Sequence, residues 1–158
     1  MTPLEYADFV PMQVAEFALQ MTFAGEWEID DAMDKSLARG EMLFDGTAIH
    51  GGHRFFRAVT SEGPVAWIWE GPSPIGAPGR FLYQVTVEEA HRGRGVGHAT
   101  LRALEQRLVR EGVPQLMLNV FRWNEAALRM YEARGYEVAT EFPTSLHLRK
   151  LLLPRLSA

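Results

Sequence analysis

Residues 80–112, RFLYQVTVEEAHRGRGVGHATLRALEQRLVREG, constrain this chain more than any other stretch. They read as a strand, Arg80–Val87, then a loop with three glycines and two arginines, then a helix that ends at Gly112 with Pro114 beyond. A helix N-terminus exposes unpaired N–H groups and the positive end of the peptide dipole, so it stabilises an anion. Phosphate is the commonest such anion. Glycines let the backbone approach a ligand closely, and Arg92 and Arg94 add attraction and charge-assisted bonds. The junction reads as a pyrophosphate cradle; the plainer alternative is a tight turn that happens to be basic.

Two well-known phosphate loops do not fit. A Walker loop needs Lys-Ser/Thr after its last glycine, where His98-Ala99 stands. A dinucleotide fingerprint counted from Gly93 requires a third glycine where His98 lies. The pattern that does fit is R-x-x-G-x-G, met by Arg92, Gly95 and Gly97.

The rest of the chain supplies the frame. Thr2-Pro3-Leu4-Glu5 starts a helix, which Pro11 is expected to break or restart; Val14, Phe17, Ala18 and Met21 then recur at helical spacing until Gly25. Asp30 is expected to cap a second helix, with Met33, Leu37 and Phe44 on its buried face and Asp45-Gly46 as its stop. The period then changes. HRFFRAVT and PVAWIWE form a hairpin through SEGP, and Gly71–Gly79 is a Pro- and Gly-rich loop. After the glycine loop and its helix come strand QLMLNVF, helix EAALRMYEAR behind the cap Asn124, and strands YEVAT and SLHLRKLLL. This order implies an α/β (α+β) fold with a mixed, mostly antiparallel sheet, helices on both faces and a single domain over residues 1–158.

Composition narrows the functions. There is no cysteine among the 158 residues, which excludes disulfides, thiolate metal sites and a cysteine nucleophile. No apolar run is long enough to span a membrane, and a cytoplasmic protein without a membrane partner is expected. The net charge of −4 argues against nucleic acid. The charge is also divided: residues 1–46 carry two bases and ten acids, whereas residues 91–134 carry eight arginines and four glutamates.

Strand, loop and helix together resemble the GNAT superfamily of N-acetyltransferases, and VFRWNEAALRMYEARGYEV is similar to that family's second block, N-x-x-A-x-x-x-Y followed by Gly-aromatic. Here these are Asn124, Ala127, Tyr131 and Gly135-Tyr136; the resemblance covers roughly residues 53–150. It implies acetyl-coenzyme A as acyl-donor co-substrate, held in a slot where strand Arg80–Val87 splays from strand Gln115–Phe121. Main-chain groups of Val85 and Val87 would pair with the pantetheine arm, the Val85 amide polarising the thioester carbonyl. Arg92, Gly93, Arg94, Gly95, Val96 and Gly97 would hold the pyrophosphate, and Asn124 and Ala127 the cofactor arm. Asn124 is equally a good helix cap. The resemblance makes Tyr131 the catalytic residue, protonating the departing thiolate; a packing role between helix and sheet is the alternative.

No general base is assigned. Many relatives carry a glutamate on the strand before the loop, but RFLYQVTV has no carboxylate; Tyr83 and Gln84 are its polar members, and Glu70, at the end of the neighbouring strand, and His53 are the other candidates, directly or through water. His50 and His53 lack a third ligand, so no metal is expected. Ala66 replaces a frequent glycine without consequence for the chemistry. The function implied is acetyl transfer to an amine by direct attack in a ternary complex. The alternative is a catalytically weak module that binds coenzyme A as a sensor. The resemblance places the N-terminal helices and their connecting loop along the acceptor side; there Glu26, Glu28, Asp30 and Asp31 cluster around Trp27, which implies a cationic acceptor, and a homodimer is left open.

Overall fold

The computed structural model describes residues 3–43 and 51–153. They fall into two compact units, one reaching to Gly52 and one starting at His53.

The first unit is a pair of helices, α1 (Pro3–Phe23) and α2 (Ile29–Leu43). Helix α1 runs unbroken through Pro11, contrary to the expected break. A proline costs a helix one hydrogen bond and some ring crowding. Burial of Phe9 before it and of Val14 and Ala18 after it holds both halves in place. Helix α2 also departs from the expected pattern. Met33 and Leu37 are exposed, and Ala32, Ser36 and Gly40 are the buried residues, spaced four apart. Small side chains permit close approach, and Ser36 Oγ donates to the Val14 carbonyl of α1 at 2.6 Å. Asp30 lies in the first turn of α2 with Asp31 rather than capping it. Thr2, Phe44, Asp45, Gly46 and His50 lie outside the described residues.

The second unit is a six-stranded sheet in the order β1-β2-β3-β4-β6-β5. Its strands are β1 (Arg54–Thr60), β2 (Gly63–Gly71), β3 (Arg80–Val87), β4 (Gln115–Phe121), β5 (Glu137–Glu141) and β6 (Ser145–Leu151). Only β3 and β4 run parallel, joined through α3 (Val96–Arg110); α4 (Glu125–Ala133) connects β4 to β5. Leu101, Leu104 and Leu108 of α3 and Ala127, Leu128 and Tyr131 of α4 pack on Ile68, Leu82, Leu116, Leu118, Val120, Leu146 and Leu148. The two helices therefore share one face of the sheet. The opposite face carries a row of rings in which Phe55 stacks on Trp69, Trp69 on Tyr83, and Phe81 meets both Tyr83 and His147.

Two buried carboxylates tie the layers together. Glu70 of β2 is fully buried and accepts from Arg54 of β1 and Arg80 of β3. Arg54 also reaches Glu111 beyond α3, at 2.7 Å. Glu105 of α3 accepts from Arg134, from Lys150 of β6 at 2.7 Å and from the Tyr136 hydroxyl at 3.1 Å. Burial by itself would raise its pKa; hydrogen bonds from Arg134 and Lys150, with their charges, outweigh that and hold it below the usual carboxylate value.

Because the folded-state pKa of Glu105 is depressed, its ionised form stabilises the fold above the unfolded value, and this contribution is lost as pH falls through the folded value. Glu105→Gln should lower stability by about 3 kcal/mol at pH 7, the order expected when one partner leaves a buried ion pair. It should also flatten the acid limb of a urea-midpoint against pH curve. An unchanged midpoint and an unchanged acid limb would contradict this role.

Candidate active site

The site is built around a defect in the sheet. Strands β3 and β4 pair only at Arg80–Leu116, Phe81–Met117 and Leu82–Leu118, although both continue well past that point. The pairing of β2 with β3 slips at the same level: Trp69 faces Gln84, and the next pair is Glu70 with Leu82. Tyr83 is thus one residue too many for its partner strand. A bulge of this kind bends a strand and increases its twist. Here it turns β3 away from β4 and opens a V.

The closed end of the V is locked separately. Gly79 has φ +99°, and a Cβ there would lie 2.3 Å from the Gln115 carbonyl oxygen, so only glycine lets the chain enter β3 this close to β4. Gln115 Nε2 donates to the Pro78 carbonyl at 2.6 Å.

The direction of the main chain on β3 follows from the ladder. The Glu88 amide donates to the Val65 carbonyl of β2 at 2.9 Å. In an antiparallel pair, alternate residues face the partner. Gln84, Thr86 and Glu88 therefore bond towards β2, and the N–H and C=O groups of Val85 and Val87 point to the open edge. The Val87 carbonyl already accepts from Arg92 Nε at 3.0 Å.

Beyond β3 a short 3₁₀ turn, Glu89–His91, leads into the glycine loop and α3. Gly95 is the N-cap at φ +77° and offers no side-chain cap. The first helical bond is from the Ala99 amide to the Gly95 carbonyl. The amides of Val96, Gly97 and His98 thus open the helix without an acceptor among the described residues. Gly93, Arg94 and Gly95 are exposed beside them. Uncapped amides, exposed arginines and an unpaired strand edge fit a ligand with a phosphate group and an amide-bearing arm. Gly97 has a different explanation from its neighbours. A Cβ there would stand 3.0 Å from Met130 Sδ and 3.7 Å from Val87 Cγ2, so this glycine lets α3 pack against α4 and β3.

On α4, Asn124 Oδ1 accepts from the Ala127 amide at 3.2 Å, the cap expected from its sequence position. That occupies the oxygen and leaves Nδ2 as a donor. Ala127 spends its amide on the cap and packs its side chain against the core. Tyr131 is buried, edge-on to Tyr136 at 5.4 Å, and its hydroxyl has no hydrogen-bond partner among the described residues. Burial pushes its pKa up to about 12.

The polar groups considered as bases prove to be engaged elsewhere. Glu70 sits at the closed end between two arginines. His53 Nδ1 accepts from Trp69 Nε1 at 3.0 Å, Tyr83 donates its hydroxyl to the Pro72 carbonyl at 2.8 Å, and Gln84 donates to Thr86 Oγ1. In the helical unit, Trp27 packs edge-on to Phe17 at 5.5 Å, Arg39 lies over Phe17, and Asp31 pairs with Lys35 at 2.7 Å. Glu26, Glu28 and Asp30 are exposed. Among the described residues no His, Asp and Glu cluster is arranged to hold a metal, and no helix is long and apolar enough to cross a membrane.

The family model of the acetyltransferase (GNAT) family matches residues 18–136. The chain belongs to the GNAT family of acetyltransferases. It is 30% identical over 154 residues to YdgE, an uncharacterized N-acetyltransferase of Bacillus subtilis (strain 168), covering 96% of this chain and 95% of that one. YycN of the same organism is 28% identical over 141 residues, covering 80% of this chain and 90% of that one. The crystal structure of YycN, a putative acetyltransferase, superposes with a TM-score of 0.84 at 25% identity, covering 91% of this chain and 93% of that one. The PaiA N-acetyltransferase of Thermoplasma acidophilum, solved in complex with coenzyme A, shares the fold at 15% identity with a TM-score of 0.59, covering 90% and 91%. The GNAT match extends into both units of this chain, and its members are acyltransferases.

The geometry of the GNAT loop yields a direct check. The Cβ of an alanine at Gly95 would meet nothing within 4 Å, so left-handed strain is the whole cost of Gly95→Ala. A loss of about 1 kcal/mol in urea unfolding is expected. No loss would mean that the loop does not hold this conformation.

Proposed function

We propose that residues 1–158 form one N-acetyltransferase domain that moves an acetyl group from acetyl-coenzyme A to an amine, by direct attack in a ternary complex. One observation carries this reading: a strand edge left open by the β3 bulge leads to the uncapped N-terminus of α3. When bound, the co-substrate supplies an acyl thioester; everything else is work for the chain. The amides of Val96 and Gly97, with Gly93 and Gly95 leaving space and Arg92 and Arg94 adding charge, hold the pyrophosphate. Val85 and Val87 offer main-chain groups to the arm, and the Val85 amide faces the negative charge that develops on the carbonyl oxygen. Asn124 contributes Nδ2 to the arm, beside Ala127.

Tyr131 is the proton donor to the leaving sulfur. At a pKa of about 12 its phenol keeps the proton across the working range. Ordinary thiols have a lower pKa, about 8.5, which would make transfer uphill in water. The burial that raises the phenol also raises a thiolate released beside it, which narrows the gap.

The acceptor is proposed to be cationic. Residues 1–46 carry ten acids against two bases, and an acidic field concentrates cations and repels anions. This effect is screened by salt.

Thiol release from acetyl-coenzyme A should accelerate with a panel of cadaverine, spermidine, lysine amide and a neutral peptide bearing a free N-terminus. No acceleration by any amine, with coenzyme A bound, would sink the reading. Matched cationic and anionic amines should differ in kcat/KM in favour of the cation, and the gap should narrow at high salt. Preference for the anion would remove the electrostatic argument.

Tyr131→Phe should lower kcat by roughly 10²–10⁴-fold, with coenzyme A affinity in calorimetry unchanged. A wild-type kcat under conditions where chemistry limits the rate would reduce Tyr131 to packing. Since the phenol is neutral until about pH 12, titration of Tyr131 should cause no fall in kcat below about pH 11.

A further inference from the structure

We propose that His147 of β6 is the general base that takes the proton from the acceptor amine, a role that rests on the acetyltransferase reading above. Its place follows from register. Asn119 is the first β4 residue beyond the last β3–β4 pair, and His147 stands directly opposite it on β6. The imidazole is therefore level with the opening of the V. Leu146 and Leu148 point into the core under α3 and α4, so His147 projects from the other face.

The ring also reaches across β4 to Phe81 of β3, at the closed end of the V. Strands β3 and β6 are separated by β4, which puts them roughly 10 Å apart. Yet the His147 and Phe81 ring centres are 5.8 Å apart. Both side chains lean over β4 towards each other. Tyr131 comes from the α3 and α4 face, so the proposed acid and base stand on opposite sides of the sheet. That division suits a reaction in which the thiol leaves on one side and the amine arrives on the other.

The surroundings keep the imidazole available. Phe81 and Phe142 flank it, the latter at 4.8 Å, and burial lowers its pKa below the ordinary value, so the neutral form prevails at neutral pH. Its register partners, Asn119 on β4 and Thr140 on β5, are uncharged. The charged groups next along are Arg149 on its own strand and Glu137, opposite Arg149 on β5. The His147 imidazole has no hydrogen-bond partner among the described residues, whereas His53 spends Nδ1 on Trp69.

The proton count closes. The acceptor arrives as an ammonium ion, and His147 takes one proton, directly or through one water, which frees the nitrogen lone pair. The N–C bond forms as the C–S bond breaks, and the sulfur takes the Tyr131 proton. The second ammonium proton restores Tyr131 through solvent, and His147 releases its own to water. The products are an N-acetyl amine, a thiol and one proton.

Histidine-selective ¹⁵N labelling, with His147→Gln to assign the resonance, tests the placement without an acceptor. The His147 signal should titrate below 6.5 and should shift when acetyl-coenzyme A is added. A signal that titrates at or above 6.5 and ignores acetyl-coenzyme A overturns the proposal. With the fastest amine of the panel, kcat/KM should rise with pH through the same pKa. His147→Gln should lose that limb and lower kcat by roughly 10²–10⁴-fold, with coenzyme A affinity and urea midpoint unchanged. Added imidazole should partly restore His147→Ala. A His147→Gln enzyme that keeps both limb and rate overturns the proposal. A wild-type protein that binds acetyl-coenzyme A but acetylates none of the amines points instead to failure of the acetyltransferase reading, and the labelling result then judges the position of His147 by itself.

Discussion

One extra residue in β3 governs the arrangement of the site. Hydrogen bonds in a sheet propagate, because each pair fixed brings the next into register. Two neighbouring parallel strands would continue pairing unless something intervened. Tyr83 intervenes: it takes a place opposite β2 that has no partner, and β3 bends away from β4 just beyond Leu82. Unpaired main-chain groups are costly when buried and useful when offered to a ligand. The edge at Val85 and Val87 is left without a strand partner, which is what the proposed role in holding an extended arm requires.

Such an opening needs rigid borders. Gly79, Gln115 and the Glu70 pairs fasten the closed end, where β3 must stay against β4. Glu105 fastens the helical layer by joining α3 to Arg134, Tyr136 and Lys150. Tyr136 in turn packs on Tyr131. A buried carboxylate is costly unless its lone pairs and charge are answered. Both of these are answered by residues from several elements, which fixes those elements relative to one another. The position of Tyr131 beneath the sheet is thus tied to the charges gathered on Glu105.

Legibility in the sequence followed the range of the interaction. Strands β3 and β4 and the cap at Asn124 were readable because alternation and capping are local. The loop was readable because glycine and arginine types speak for themselves at a helix start. Glu105 left a faint signal, a glutamate four residues after Leu101 on an apolar stripe. The bulge left none, since it is a relation between β2 and β3. The packing of α2 misled for a similar reason: Met33 and Leu37 are the larger apolar residues, but the close approach of α1 selected Ala32, Ser36 and Gly40.

By itself the sequence determined the order of elements, the glycine-rich loop at a helix start, the family resemblance and the tyrosine to test. These depend on residue type and short spacing. Only the tertiary structure decided which polar groups remain available. Glu70, His53 and Tyr83 are all chemically able candidates in the sequence, and each is engaged by a residue from another segment. His147 is unremarkable in the sequence, yet register sets it level with the opening and its ring reaches over β4 to Phe81. A side chain carries its chemistry wherever it stands; its hydrogen-bond partners, burial and reach are set by the strands that fold next to it.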